Sequence, residues 1–276
     1  MPIVNQFTCM KYNLFSIAQF PAPLRVGCFI CGLLILWAPF AIPIRLSIKD
    51  DNLVTILTMV LLYIEFLILL RLWGKHVHKQ GQLFKHYGLE RSPRNVVELV
   101  NGFAIGLTGI LILFGLQGIL GWLEWQQPKM LLTRLVLEGF IVSLFYGFAE
   151  ELLFRGWLLD ELQRDYSPQV SLWVNAGMFA GLHFKPMQFP ALLLLGLGLV
   201  WAKRWRQGRL GLPIGYHGGL VWGMYIMNVG GLVKYTNQVP DWVTGIDRNP
   251  LQGLMALWFL LVIASWFKER QYWSKA

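Results

Sequence analysis

The chain has 276 residues, 55% of them hydrophobic and only 14% charged, with 13 Trp and a formal charge of +9. Its mean hydropathy of +0.49 excludes an ordinary water-soluble domain of this length, so lipid is the expected solvent for most of it. The positive charge lies in short stretches between apolar spans, where the cytoplasmic bias of Lys and Arg accounts for it, which argues against nucleic acid as a partner.

Several apolar runs reach the roughly 20 residues needed to cross a ~30 Å hydrocarbon core as helix, and no alternating ~10-residue strands of the membrane-barrel type are seen. The expected fold is all-α, a polytopic transmembrane bundle of about eight helices. An N-terminal arm, residues 1–25, has no signal-peptide core with a small-residue cleavage site, so the first span is expected to be retained. The spans are predicted at roughly Val26 to Ile44, Leu53 to Trp73, Phe103 to Trp122, Leu131 to Leu162, Ser167 to Phe184, Phe189 to Ala202, Leu210 to Asn228 and Leu251 to Phe267. The fourth is unusually long and carries charges, and the sixth is short enough to be re-entrant. Residues 26–267 are read as one bundle, followed by a tail over 268–276.

Lys75, His76, His78, Lys79, Lys85, His86, Arg91 and Arg94 fall between spans two and three, and Lys203, Arg204, Arg206 and Arg209 follow span six. Both stretches are expected in the cytoplasm, as are both termini of this multi-pass membrane protein. Cys9 lies in the arm, and Cys28 and Cys31 sit one helical turn apart in the first span, so neither a disulfide framework nor a zinc knuckle is indicated.

Ionisable side chains at membrane depth cost several kcal/mol, so each is a functional candidate until a partner explains it. With Arg71, Asp160 and Glu161 set aside at span ends, the candidates are Glu65, Arg134, Glu138, Glu150, Glu151, Arg155, His183 and His217. Arg134 and Glu138 are four apart and form a local pair. Glu65 has no partner in sequence and is read as structural. Glu151 and Arg155 also share a helix face, whereas Glu150 points about 100° away and is free to face the bundle interior, the situation of a general base.

His183 follows on the next span. With the turn near Asp165, Glu150 and His183 lie roughly 22 and 27 Å along antiparallel helices, depths that allow contact. His217 lies in a Gly-rich stretch that lets a helix or a substrate backbone come close. One Glu and two His on three spans can form either a zinc site with an open position for water, with Glu150, His183 and His217 as ligands, or a metal-free base with donors for an oxyanion. A soluble-type His-Glu-x-x-His zinc helix does not occur.

The motif Glu-Glu-x-x-x-Arg at Glu150, Glu151 and Arg155, followed by Phe-x-x-x-His at Phe179 and His183 and by His217, resembles the CPBP family of intramembrane proteases, which includes the CAAX prenyl endopeptidases and Abi-like proteins. The resemblance covers roughly residues 131–228. It departs at the third motif, usually His-x-x-x-Asn or Asp, because Val221 stands four positions after His217, and Asn228 is about 16 Å further along the helix.

The resemblance implies an endopeptidase acting on a membrane-associated or prenylated-type substrate. Glu150 with His183 would activate water and His217 would polarise the carbonyl, with Glu151 and Arg155 supporting and Phe179 in a packing role. Two other classes are weighed against it: a non-catalytic immunity or scaffold membrane protein, to which Val221 points, and a small proton-coupled transporter, against which the lack of an internal repeat argues.

Overall fold

The computed structural model describes residues 17–246 and 249–273. Most of the arm expected over residues 1–25, Cys9 included, lies outside them. The chain divides into two compact units, Met1–Leu83 and Phe84–Ala276.

The first unit is a helical hairpin of α1 (Ala22–Ser47) and α2 (Asp51–His76). Asp50 starts α2 by accepting a hydrogen bond from the Leu53 amide at 2.9 Å, which satisfies one of the donors left open at a helix start. Rings hold the hairpin: Phe29 meets Phe66 and Trp73 edge-on, with centroids 6.1 and 5.3 Å apart, and the Trp37 indole donates to the Thr58 carbonyl at 2.9 Å. Cys28 and Cys31 are free and exposed. Glu65 is buried on α2 with Oε2 lacking a hydrogen-bond partner among the described residues.

The second unit contains α3 (Pro93–Ile119), α4 (Leu132–Glu151), α5 (Leu159–Asp165), α6 (Pro168–Gly181), α7 (Phe189–Trp205), α8 (Gly211–Val229) and α9 (Leu254–Trp273). Between α4 and α5, residues Leu152–Leu158 wind as a π-helix, so 132–165 is one continuous rod. Two short strands, β1 (Leu123–Trp125) and β2 (Val233–Tyr235), pair antiparallel with Leu123 opposite Tyr235 and tie together the loops after α3 and α8.

Each of the eight predicted spans finds its helix, with shifted limits. Five helical segments among the described residues are long and apolar enough to cross a membrane: 22–47, 53–76, 93–119, 132–165 and 186–205. The 14 residues of α6 are fewer than a full crossing requires. Helix α3 starts ten residues before the predicted limit, capped by Ser92 with Pro93 in its first turn, and α9 continues to Trp273, so 268–273 is helix rather than free tail.

Helix α8 is wedged between α3 and α4 by glycine. Along the parallel α3–α8 contact, a Cβ on Gly102 or Gly106 would fall on the α8 backbone, and one on Gly215 or Gly219 would fall on the carbonyls of Leu99 or Phe103. From the other side, a Cβ on Gly147 of α4 would lie 2.8 Å from the Ile214 carbonyl and 3.0 Å from the Gly218 amide. Without a hydrophobic drive between helices in lipid, such backbone approach supplies the van der Waals contact. Asn95 locks the ends together: its Oδ1 accepts from the Gly211 amide at 2.8 Å while its Nδ2 donates to the Glu90 carbonyl at 3.0 Å.

Candidate active site

Glu150 and Glu151 are the last residues of α4 before the chain changes from α to π winding. A π turn shifts backbone pairing from i→i+4 to i→i+5 and releases carbonyls that need other donors. Buried side chains supply them. Asn175 of α6 donates to the Phe154 carbonyl at 2.7 Å, and Lys203 of α7 donates to the Arg155 carbonyl at 2.6 Å. Lys203 is therefore part of the framework as well as one of the basic residues after span six. Tyr87 packs on Gly156 in the same turn. Burial, and then the nearby Asp160 and Glu161 carboxylates, push the Tyr87 hydroxyl well above its ordinary pKa and keep it neutral.

Glu151 and Arg155 are fully buried and pair at 2.9 Å. Arg155 also donates to the Gly196 carbonyl at 3.2 Å, and its guanidinium lies 4.2 Å from the centre of the Phe179 ring, a cation–π contact. Phe179 thus does more than fill space: it covers the buried charge and also meets the rings of His183 and His217, at 4.7 and 5.9 Å between centroids.

The two histidines are fixed through Nδ1. His183 Nδ1 lies 2.7 Å from the Phe179 carbonyl, which only accepts, so Nδ1 carries the proton. His217 Nδ1 lies 2.9 Å from Glu151 Oε1 and donates to that carboxylate. In each ring the tautomer follows from the partner, and Nε2 is left for the site. The nitrogens stand 3.7 and 4.0 Å from Glu150 Oε2, too far for direct hydrogen bonds and in the range where a shared water bridges. That oxygen is buried without a hydrogen-bond partner among the described residues.

Glu150, His183 and His217 line one cavity of about 330 Å³, walled mainly by apolar residues such as Leu113, Leu192 and Phe259. The structure thus brings the three predicted site residues together. Val221 lines the same cavity, while Asn228 is exposed at the end of α8 and is not part of the lining. Arg134 and Glu138 pair with each other at 3.0 Å on an exposed face.

The donor set of one carboxylate and two imidazole nitrogens suits zinc in kind. A tetrahedral zinc at ~2.0–2.1 Å from each ligand would hold neighbouring ligand atoms roughly 3.3 Å apart. The observed separations are wider, and among the described residues no group of three or more His, Cys, Asp or Glu side chains is arranged to hold a metal ion. As they stand, the residues do not fit that group.

Residues 132–223 match the family model for Rce1-like type II CAAX prenyl endopeptidases. The match covers about a third of the chain, and over that segment the chain is similar to this endopeptidase family. The Rce1-like segment begins with α4 and ends within α8, and so contains Glu150, Glu151, Arg155, Phe179, His183 and His217. This similarity supports intramembrane CAAX endopeptidase activity in general, with a membrane-associated peptide as the class of substrate. No curated protein and no solved structure matches the chain significantly.

Sequence reasoning missed part of the candidate site's support. Asn175 is a polar residue inside an apolar span, which is a signal of the kind that singled out the glutamates. Glu98, 3% exposed, holds Arg209 through a contact of 2.6 Å and anchors the loop entering α8. Its signal was hidden because α3 was expected to begin after it.

Proposed function

We propose that the protein hydrolyses a peptide bond of a membrane-associated or prenylated-type substrate, with Glu150 and His183 activating the attacking water and His217 polarising the carbonyl. The observation that carries this reading is the buried, unpartnered Glu150 Oε2 facing two imidazole Nε2 atoms at 3.7 and 4.0 Å on the wall of a cavity. A carboxylate and a neutral imidazole are both acceptors, so a water between them is oriented with its protons toward the base and a lone pair toward the substrate. Glu151 holds His217 through Nδ1, and Arg155 balances Glu151, so that His217, when protonated, presents Nε2–H to the carbonyl oxygen.

The site is proposed to open toward the cytoplasm, the side to which the positive-inside bias would assign Arg206 and Arg209 after α7 and the two termini. One observation favours a second, non-catalytic reading as scaffold: the wall position one turn after His217 is Val221, which has no polar group.

The test is cleavage of quenched peptides, prenylated and unprenylated, by the protein in liposomes, with elemental analysis of bound metal. Cleavage lost in Glu150→Ala and reduced in His183→Ala and His217→Ala, at unchanged protein yield, is the expected result. Unaltered behaviour in all three variants would move the reading to the scaffold. About one equivalent of metal that disappears with the three side chains would replace the metal-free route.

A further inference from the structure

The group of Glu150, His183 and His217 on the cavity wall is well supplied with acceptors and short of donors. Glu150 offers a carboxylate and His183 a lone pair, whereas peptide hydrolysis also needs N–H or O–H groups aimed where the carbonyl oxygen becomes negative. His217 supplies one, and Val221 on the same wall supplies none.

Other donors reach the lining from Tyr146, Lys185, Gln188 and Asn249. Tyr146 is 44% exposed and Lys185 is exposed, so both can spend their hydrogen bonds on solvent or headgroups. Asn249 is half-buried, and its side chain is held in its own loop, where Oδ1 accepts from the Leu251 amide at 3.1 Å. Gln188 differs from all three. It is 5% exposed. It occupies the cap position before α7, yet its side chain makes no capping bond, and its amide has no hydrogen-bond partner among the described residues.

The backbone explains how it arrives there. Phe184 adopts a left-handed conformation at φ 53°, unusual for a large side chain, and the Pro186–Gln188 turn closes with the Gln188 backbone amide donating to the Lys185 carbonyl at 2.9 Å. This reversal returns the chain so that His183 and Gln188 line one cavity.

We propose that the Gln188 side-chain amide is an oxyanion donor, receiving the substrate carbonyl oxygen and supplying what position 221 lacks. The inference rests on the reading of Glu150 as the base. Water oxygen bonds to the carbonyl carbon as its proton passes to Glu150, and the C=O π pair moves to oxygen, where Gln188 Nε2–H and His217 receive it. Collapse restores the carbonyl, breaks the C–N bond and returns the Glu150 proton to the leaving amine.

The experiment measures kcat and KM on the quenched peptide in liposomes for wild type, Gln188→Leu, the isosteric Gln188→Glu, and Gln188→Leu combined with Val221→Asn, with thermal unfolding recorded for each. Loss of one such donor is expected to lower kcat by about 10²–10³-fold with KM nearly unchanged in both single variants. A donor restored at position 221 is expected to recover at least about tenfold of that loss, which a merely structural role for Gln188 would not produce. Single variants that unfold like wild type and keep kcat within a few-fold, while Glu150→Ala is inactive, would overturn the donor role and leave the hydrolase reading standing. Wild type without Glu150-dependent cleavage would overturn the hydrolase reading and the donor role with it.

Discussion

In the α1–α2 hairpin, large side chains hold two apolar helices together: Phe29 sits between Phe66 and Trp73, and one indole hydrogen bond crosses to Thr58. Across α3, α4 and α8 the contact is backbone on backbone, with glycines facing carbonyls and amides. A ring contact can lose atoms and relax, because neighbouring side chains and lipid fill the gap. A glycine contact has no slack for added atoms, so it fixes α8 to within the width of an atom, and α8 carries His217. The geometry of the candidate site is thus held by residues that lie outside it.

The largest effect is expected where that contrast is sharpest. Gly215→Leu would drive a side chain into the Leu99 carbonyl, and folded, monodisperse protein should fail to accumulate, as judged by size-exclusion chromatography in detergent. Next comes Arg155→Ala, which leaves the Glu151 carboxylate buried without its ion pair. Breaking a buried pair in this way costs about 3–5 kcal/mol, to be read as a large fall in thermal midpoint together with lost cleavage. Phe29→Ala in the hairpin should cost less, on the order of 1–3 kcal/mol, below the usual range for a core Phe because lipid is as apolar as the ring it replaces; kcat of the folded fraction should not change. Arg134→Ala removes a pair that lies outside the packed interior and is expected to have the smallest effect of the set, with kcat unchanged. A hairpin variant as damaging as the glycine variant would erase the distinction.

The residues that converge on the cavity were legible in sequence because ionisable groups are rare in apolar runs: Glu150, His183 and His217 stood out singly, and helix rise alone put the first two at depths that allow contact. The Glu151–Arg155 pair followed from four-residue spacing and survives the π turn. That turn was not legible, since no local pattern encodes it and it depends on Asn175 and Lys203 arriving from other helices to take up freed carbonyls. The early start of α3 was hidden for a related reason. Asn95 and Glu98 look like loop residues until Gly211 and Arg209 are brought against them. Gln188, between Pro186 and Pro190, reads as an ordinary polar loop residue, and only burial on the cavity wall marks it.

Arg155 also sets an order for biogenesis. When 132–165 emerges from the ribosome, Glu151 on the same rod can begin to neutralise the guanidinium, but the Phe179 ring and the Gly196 carbonyl that complete its surroundings are not yet synthesised. Stable residence of this rod in the bilayer therefore waits on α6 and α7, and a nascent chain stopped before Gly196 is expected to hold the rod only loosely, open to extraction and quality-control proteolysis.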